Sequence, residues 1–403
     1  MRNKSASRGI PLVALFAALL LGACQGGGQR AARVYVSLPL QGPSPNSTGM
    51  GESIKRGIEL AFEEVGNQVG NTQIELEVLD DGNTVGQWQP ELESSNALAA
   101  AADDWAVAYI GPYNSGAAMI SIPILNRAGL LQISPSATWP GLTKPGFAQG
   151  EPGIFYPTGK RTFFRPVPTD EKQGPAAAAW ARSLGLRTFY VLDDGEAYGA
   201  GVASLFSNYA QRIGMVEMGR QTIDKTATDY RSVLEAVKLA NPDLVYFGGT
   251  AANGAPRLLQ QMREMGIAAK VMGADALVDQ SLIDMAGAAA NGLYATFIGL
   301  PPDQLTTAIG KKFYEAYKAR YGEEPGVFSQ YGYDAGRAII AALGQAPAPD
   351  RAGVLAGLQA VPALDGTTDT YVFDRAGDTS LRWISGMAVE NGSFKFVQRL
   401  IVP

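Results

Sequence analysis

The chain has 403 residues, 46% of them hydrophobic, which is enough apolar material for two or three domains of ordinary size. A net charge of −5 without a basic stripe argues against nucleic acid as a partner. There is no His, which removes the usual general base and the commonest metal ligand, and a single Cys, which removes intrachain disulfides and Cys-cluster metal sites.

In chain order, basic Arg2, Lys4 and Arg8 precede an apolar run from Ile10 to Leu21, and then comes Leu21-Gly22-Ala23-Cys24. Residues 1–23 read as a signal peptide, with an apolar region too short to be a comfortable membrane span. The small residues before Cys24 resemble a bacterial lipobox, in which cleavage leaves that Cys as a lipid-modified N-terminus. An ordinary signal peptide cut after Ala23, or a retained anchor, is the plainer alternative. Gly-rich residues 24–32 read as a flexible tether.

Ala32 to Leu40 alternates as a strand, and Gln41 to Gly49 breaks it. Ile54, Ile58, Ala61, Phe62 and Val65 recur at helical spacing, Ile74 to Val78 alternates as a strand, and Trp88 to Asp104 supplies an Ala-rich helix. Ala106 to Pro112 is a buried strand whose turn Tyr113-Asn114-Ser115-Gly116 opens a helix to about Arg127. A second short strand from Leu130 to Pro135 ends in Ser136-Ala137-Thr138-Trp139-Pro140. Strand, helix, strand at this spacing is a βαβ unit with parallel strands, so both hydroxyl-bearing turns emerge at one carboxyl edge. Ligands of open α/β sheets bind at that edge, where helix N-termini offer free N–H groups to anions. The bland alternative is that Ser115 simply caps its helix.

The Pro/Gly-rich stretch from Lys144 to Arg161 reads as a long surface loop. Alternation then restarts, with strands expected at Thr188 to Asp193, Asp243 to Gly248, Ala269 to Gly273 and Leu293 to Ile298, and helices between them. Two further helices are expected at Phe313 to Arg320 and Tyr333 to Leu343, and a hairpin turns at Glu390-Asn391-Gly392-Ser393. The fold class is therefore α/β, with two doubly wound lobes and a chain that crosses between them more than once. No P-loop, GxSxG or GxGxxG pattern follows the expected strands, so no enzyme is expected. Asp80-Asp81 and Asp193-Asp194 are too few ligands for an oxygen-only cation site and read as capping and turn residues; no metal and no cofactor is expected.

The order of motifs resembles the leucine/isoleucine/valine-binding protein family, periplasmic receptors of branched-chain amino-acid ABC transporters with the type I periplasmic-binding fold. The resemblance covers nearly the whole mature chain. It rests on Leu40-Gln41-Gly42-Pro43, the helix from Gly51 to Ala61, Leu79-Asp80-Asp81, Ile110-Gly111-Pro112 and Ile133-Ser134-Pro135-Ser136-Ala137-Thr138. It continues in Gln173-Gly174-Pro175, Ala197-Tyr198-Gly199, Phe247-Gly248-Gly249 and Met272-Gly273-Ala274-Asp275.

That resemblance implies two Rossmann-like lobes that close over an amino acid, at 33–163 plus 296–366 and at 164–295 plus 367–403. Ser115 and Thr138 would hold the α-carboxylate with hydroxyls and with N–H groups of the Ser136-Ala137-Thr138 turn. Asp275 would meet the α-ammonium, and Tyr198 would cover the ligand on closure, with Tyr113 and Thr250 as further contacts. Read without the resemblance, the plainer alternatives are a Tyr198 packed on its own lobe and an Asp275 that caps a helix. Where relatives often place aromatics this chain has Met50 and Thr250, so side-chain selection stays open, and the family's frequent disulfide falls at positions matching Asn83 and Asn114. The implied whole is a monomeric, lipid-anchored receptor on the periplasmic or extracellular face, with a small-molecule ligand, an ABC permease and ATPase complex as partners, and no membrane contact beyond the anchor. A sensory or envelope-assembly lipoprotein that reuses the fold is the alternative.

Overall fold

A computed structural model describes residues 30–42 and 49–403; Cys24 and the signal-peptide reading lie outside the described residues. The first lobe is built from β1 (Arg30–Leu38), α1 (Met50–Glu63), β2 (Gln68–Val69), β3 (Thr72–Asp80), α2 (Pro90–Ala102), β4 (Ala106–Ile110), α3 (Ser115–Arg127), β5 (Leu131–Ile133) and β6 (Phe163–Phe164). Their sheet runs β2-β3-β1-β4-β5-β6, parallel throughout except for the short β2. β1 starts inside the stretch expected as tether, because from Ala32 onward alternate side chains enter the core: Ala32, Val34, Val36 and Leu38 are fully buried.

The second lobe comprises α4 (Asp170–Ser183), β7 (Thr188–Asp193), α5 (Ala197–Arg212), β8 (Val216–Thr222), α6 (Arg231–Ala240), β9 (Leu244–Gly248), α7 (Ala255–Glu264), β10 (Lys270–Gly273), α8 (Gln280–Ala286) and β11 (Leu293–Ile298). The chain then supplies α9 (Ala308–Tyr321), α10 (Ser329–Gln345), α11 (Arg351–Ala360) and the small ribbon β12 (Leu364–Asp365) with β13 (Thr370–Tyr371). It ends in the hairpin β14 (Ile384–Glu390) and β15 (Ser393–Leu400). The second sheet runs β15-β14-β11-β10-β9-β7-β8, with β14 and β15 antiparallel.

In both sheets the strand order reverses at one point, between β1 and β4 in the first and between β7 and β9 in the second. Crevices at the carboxyl ends of such strands are where doubly wound sheets bind ligands. The helices after β11 return to the first lobe. Gly57 of α1 lies so close to α10 that a Cβ there would sit 2.0 Å from the Ser329 carbonyl oxygen, so glycine lets the two backbones touch. Arg351 of α11 donates to the carbonyls of Ala101 at 3.0 Å, Asp103 at 2.7 Å and Ala128 at 3.1 Å, placing a cation at the C-termini of α2 and α3. The 144–161 stretch is irregular apart from one 3-10 turn at Gly153–Phe155, but it is not wholly a surface loop. Phe155 and Tyr156 are buried against Ile122 and Leu142, anchoring it to the first lobe.

Candidate functional site

After β4 the chain turns through Tyr113 and Asn114 into α3, a 13-residue helix. Asn114 is the N-cap but makes no capping hydrogen bond, so the first-turn N–H groups of α3 and their partial positive charge are left for another partner. Ser115 is the first helical residue rather than the cap, and its hydroxyl accepts from the Trp139 N–H at 3.2 Å. The turn after β5 is stitched to this one. Ser134 Oγ donates to the Pro112 carbonyl at 2.7 Å and accepts from the Ala137 N–H at 2.9 Å, while Ser136 Oγ donates to the Tyr113 carbonyl at 3.0 Å. Thr138 is fully buried, with its hydroxyl beside the Asp170 carboxyl. Of the two expected hydroxyls, Ser115 lines the cleft between the lobes and Thr138 does not, and the polar groups of Ser136 and Ala137 named here serve the turn itself.

Facing them from the second lobe is Asp275, which follows β10 and opens a 3-10 turn at Asp275–Leu277. It is 1% exposed and receives a hydrogen bond from the Tyr198 hydroxyl. Burial pushes its carboxyl from the ordinary 3.8 up to about 6, against the opposing pull of the Tyr198 and Gln173 hydrogen bonds. The capping role belongs instead to Asp279, whose side chain accepts from the Ser281 N–H at 2.8 Å at the start of α8. Tyr198 packs on Ala274 and Ala276 of its own lobe and on Tyr113 of the first.

Sequence reasoning missed Asp170, the first residue of α4. It is fully buried, and its carboxyl is raised well above the ordinary range, first by burial and next by the charge of Asp275, against the pull of the Thr138 hydroxyl. The available signal was an acid at a helix start three residues before the Gln173-Gly174-Pro175 motif. Arg165 opposes that rise, yet its guanidinium is already engaged. Its Nε donates to Asp378 at 2.8 Å, Nη1 to the carbonyls of Ala137 and Trp139 at 2.8 Å each, and Nη2 to Thr143 Oγ1 at 2.6 Å. Arg165 thus braces the turn that carries Thr138.

A small cleft between the lobes is lined by Tyr113, Ser115, Ser136, Tyr198, Thr250 and Asp275 among others, but not by Thr138 or Asp170. The lobes are shut over it. Trp139 of the first lobe stacks on α5 at Gly201, where an added Cβ would come within 2.3 Å of the indole, and Gln87 donates across the cleft to the Ala252 carbonyl at 3.2 Å. The Asp193-Asp194 pair, expected as solvated turn residues, is buried: Asp194 accepts from Asn253 Nδ2 at 2.7 Å and from the Thr250 and Glu196 N–H groups. Among the described residues no group of three metal-ligating side chains occurs, and no helix is long and apolar enough to cross a membrane.

Residues 33–387 match the periplasmic binding protein family, and the chain belongs to that family, whose members bind solutes rather than transform them. A Leu/Ile/Val-binding protein homolog of Brucella abortus is 25% identical over 382 residues, covering 93% of this chain and 95% of that protein. An amino acid binding protein of Pseudomonas aeruginosa is 26% identical over 337 residues, covering 81% and 83%. Among solved structures, a leucine binding protein from Thermotoga maritima superposes with a TM-score of 0.80 at 25% identity, over 92% of this chain and 98% of that one. A solute binding protein from R. palustris in complex with benzoate shares the fold, with a TM-score of 0.76 at 21% identity over 93% and 98%.

Proposed function

On that family membership we propose that the chain is an extracytoplasmic receptor of an ABC importer that closes its two lobes over an amino acid and delivers it to a permease and ATPase complex. One observation carries the reading: the cleft between the lobes is lined by Ser115 at the uncapped start of α3 on one side and by the buried Asp275 carboxyl on the other, and no Lys or Arg lines it. Buried charge without a partner is costly, so the ligand that stabilises both halves is a zwitterion. An aromatic acid such as benzoate would satisfy the donors alone. Ser115 and the α3 N-terminus take the carboxylate, and Asp275 takes the ammonium. Tyr198 orients Asp275, and Tyr113 and Thr250 close the walls. Native purification followed by mass spectrometry of the co-purified small molecule tests the class of ligand. A bound molecule without an amine would sink the assignment.

The acid half predicts a pH dependence. Asp275 must be ionised to pair with an ammonium, and its carboxyl sits at about 6 in the folded protein. At pH 5 such a group is about nine-tenths protonated, so affinity is expected to be about tenfold lower than at pH 7. Stability of the ligand-free protein moves the other way. A raised carboxyl binds more protons folded than unfolded, so stability is expected to fall as pH rises between the ordinary 3.8 and about 6. Calorimetric titrations and thermal melts across that range check both signs; affinity independent of pH would exclude Asp275 as the ammonium partner.

The lipobox resemblance supports anchoring through lipid on Cys24, with the protein on the outer face of a membrane as a monomer. Cys24→Ser is expected to move the protein from the membrane fraction to the soluble one. Identical fractionation of variant and wild type would refute the anchor.

A further inference from the structure

The lobes also touch each other directly, at a place no solute occupies. The Trp139 ring of the first lobe lies on Gly201, one turn beyond Tyr198 on α5 of the second. A Cβ at Gly201 would meet three ring carbons at 2.3, 2.5 and 3.3 Å, and nothing else outside α5 stands closer to that point. A larger residue at 201 would therefore oppose closure of the lobes while leaving the second lobe itself undisturbed.

Trp139 is held from several sides. Its N–H donates to Ser115 Oγ at 3.2 Å, which joins it to the cleft lining, and its carbonyl accepts from Arg165 Nη1 at 2.8 Å. Its indole Nε1 donates to both Glu151 oxygens at 3.1 Å, and Phe147 packs edge-on against the ring with centroids 5.6 Å apart. Glu151 and Phe147 belong to the 144–161 stretch, which Phe155 and Tyr156 anchor in the first lobe. Gly141 makes the reach possible, since a Cβ there would sit 1.7 Å from Glu151 Oε2. An indole has one donor and two broad apolar faces. With the donor tied to Glu151, the ring has little rotamer freedom left to lose when it meets α5. The apolar area between them leaves water only when the lobes meet, so the contact favours the closed state whatever solute lies in the cleft.

We propose that Trp139 is a closing contact between the lobes and that the 144–161 stretch holds it in place, with Glu151 as the positioning residue. The inference rests on closure of two lobes and not on the amino-acid reading.

Closure can be measured without any solute. Gln87→Cys and Ala252→Cys, introduced together in a Cys24→Ser chain, put thiols on opposite sides of the cleft where Gln87 reaches the Ala252 carbonyl at 3.2 Å. A short bismaleimide then links them at a rate set by the closed fraction of the ligand-free protein. In that chain Gly201→Ala is expected to slow linking about tenfold or more, because its methyl meets the indole on closure. Trp139→Ala should slow it as well, and Glu151→Ala should slow it about three- to tenfold by freeing the ring. In the Trp139→Ala background the other two substitutions should have no further effect, which a general loss of stability would not reproduce. An unchanged rate in Gly201→Ala or Trp139→Ala overturns the closing role of Trp139. An unchanged rate in Glu151→Ala overturns the role of the 144–161 stretch. Slowing that persists in the absence of Trp139 overturns both, and none of these outcomes touches the identity of the solute.

Discussion

Asp275→Asn is expected to weaken amino-acid binding by about 2–5 kcal/mol, roughly thirtyfold to several-thousandfold, because it removes one member of a desolvated charge pair. Asn is nearly isosteric with Asp and retains an oxygen to accept from the Tyr198 hydroxyl, so the lost charge dominates over any lost packing. Folding stability moves differently. The carboxyl is raised to about 6 by burial, so at neutral pH its ionisation costs the ligand-free protein stability, and the neutral amide should melt no lower than wild type. A helix cap would show the reverse pattern, about 1 kcal/mol of stability lost and affinity untouched. Calorimetric titration beside a thermal melt separates the two. Asp170→Asn should lower affinity less, since Asp275 lines the cleft and Asp170 does not. Wild-type affinity in Asp275→Asn would remove the ammonium pairing and leave a clamp for some other small polar molecule.

Much of this arrangement is legible in the sequence where the determinants are local. The run Ala106–Ile110 is buried at every position, and Tyr113 to Gly116 is a polar turn before an apolar helix, so β4, α3 and the edge they share follow from pattern alone. Asp275 stands out as an acid directly after an apolar strand. β8 escapes the same reading because it lies at the sheet edge: its side chains alternate between exposed and half-buried, with Val216 at 56% and Met218 at 44% exposure pointing outward, so no apolar run marks it. α11 is rich in Ala and Gly, and what fixes it is its Asp350 cap and the reach of Arg351 to five distant carbonyls. Asp170 and Arg165 are illegible for a stronger reason. Their meaning depends on partners that only the crossing between lobes brings near, and Arg165 meets Asp378 across 213 positions of chain.

That pair gives the second large effect. Arg165→Met is expected to cost about 3–5 kcal/mol of folding stability, because it strands Asp378 as a buried charge without its main partner. Burial would push the Asp378 carboxyl up, but the Arg165 and Lys144 charges hold it down at about 2. A depressed carboxyl stabilises the fold above its unfolded value near 3.8, and that contribution is lost as pH falls towards 2. Without Arg165 the carboxyl rises and the acid limb of the stability curve should move to higher pH. Removing both charges in Arg165→Met with Asp378→Leu should recover a large part of the loss, since the stranded charge goes with its partner. Affinity should not recover with it. The same guanidinium holds the Ala137 and Trp139 carbonyls, so the double variant regains much of its stability but still lacks the brace on the turn that presents Thr138. Denaturant titrations and binding measurements on the two variants separate the roles. If affinity returned in full with stability, Arg165 would serve the ion pair alone and the turn would hold its shape through Ser134.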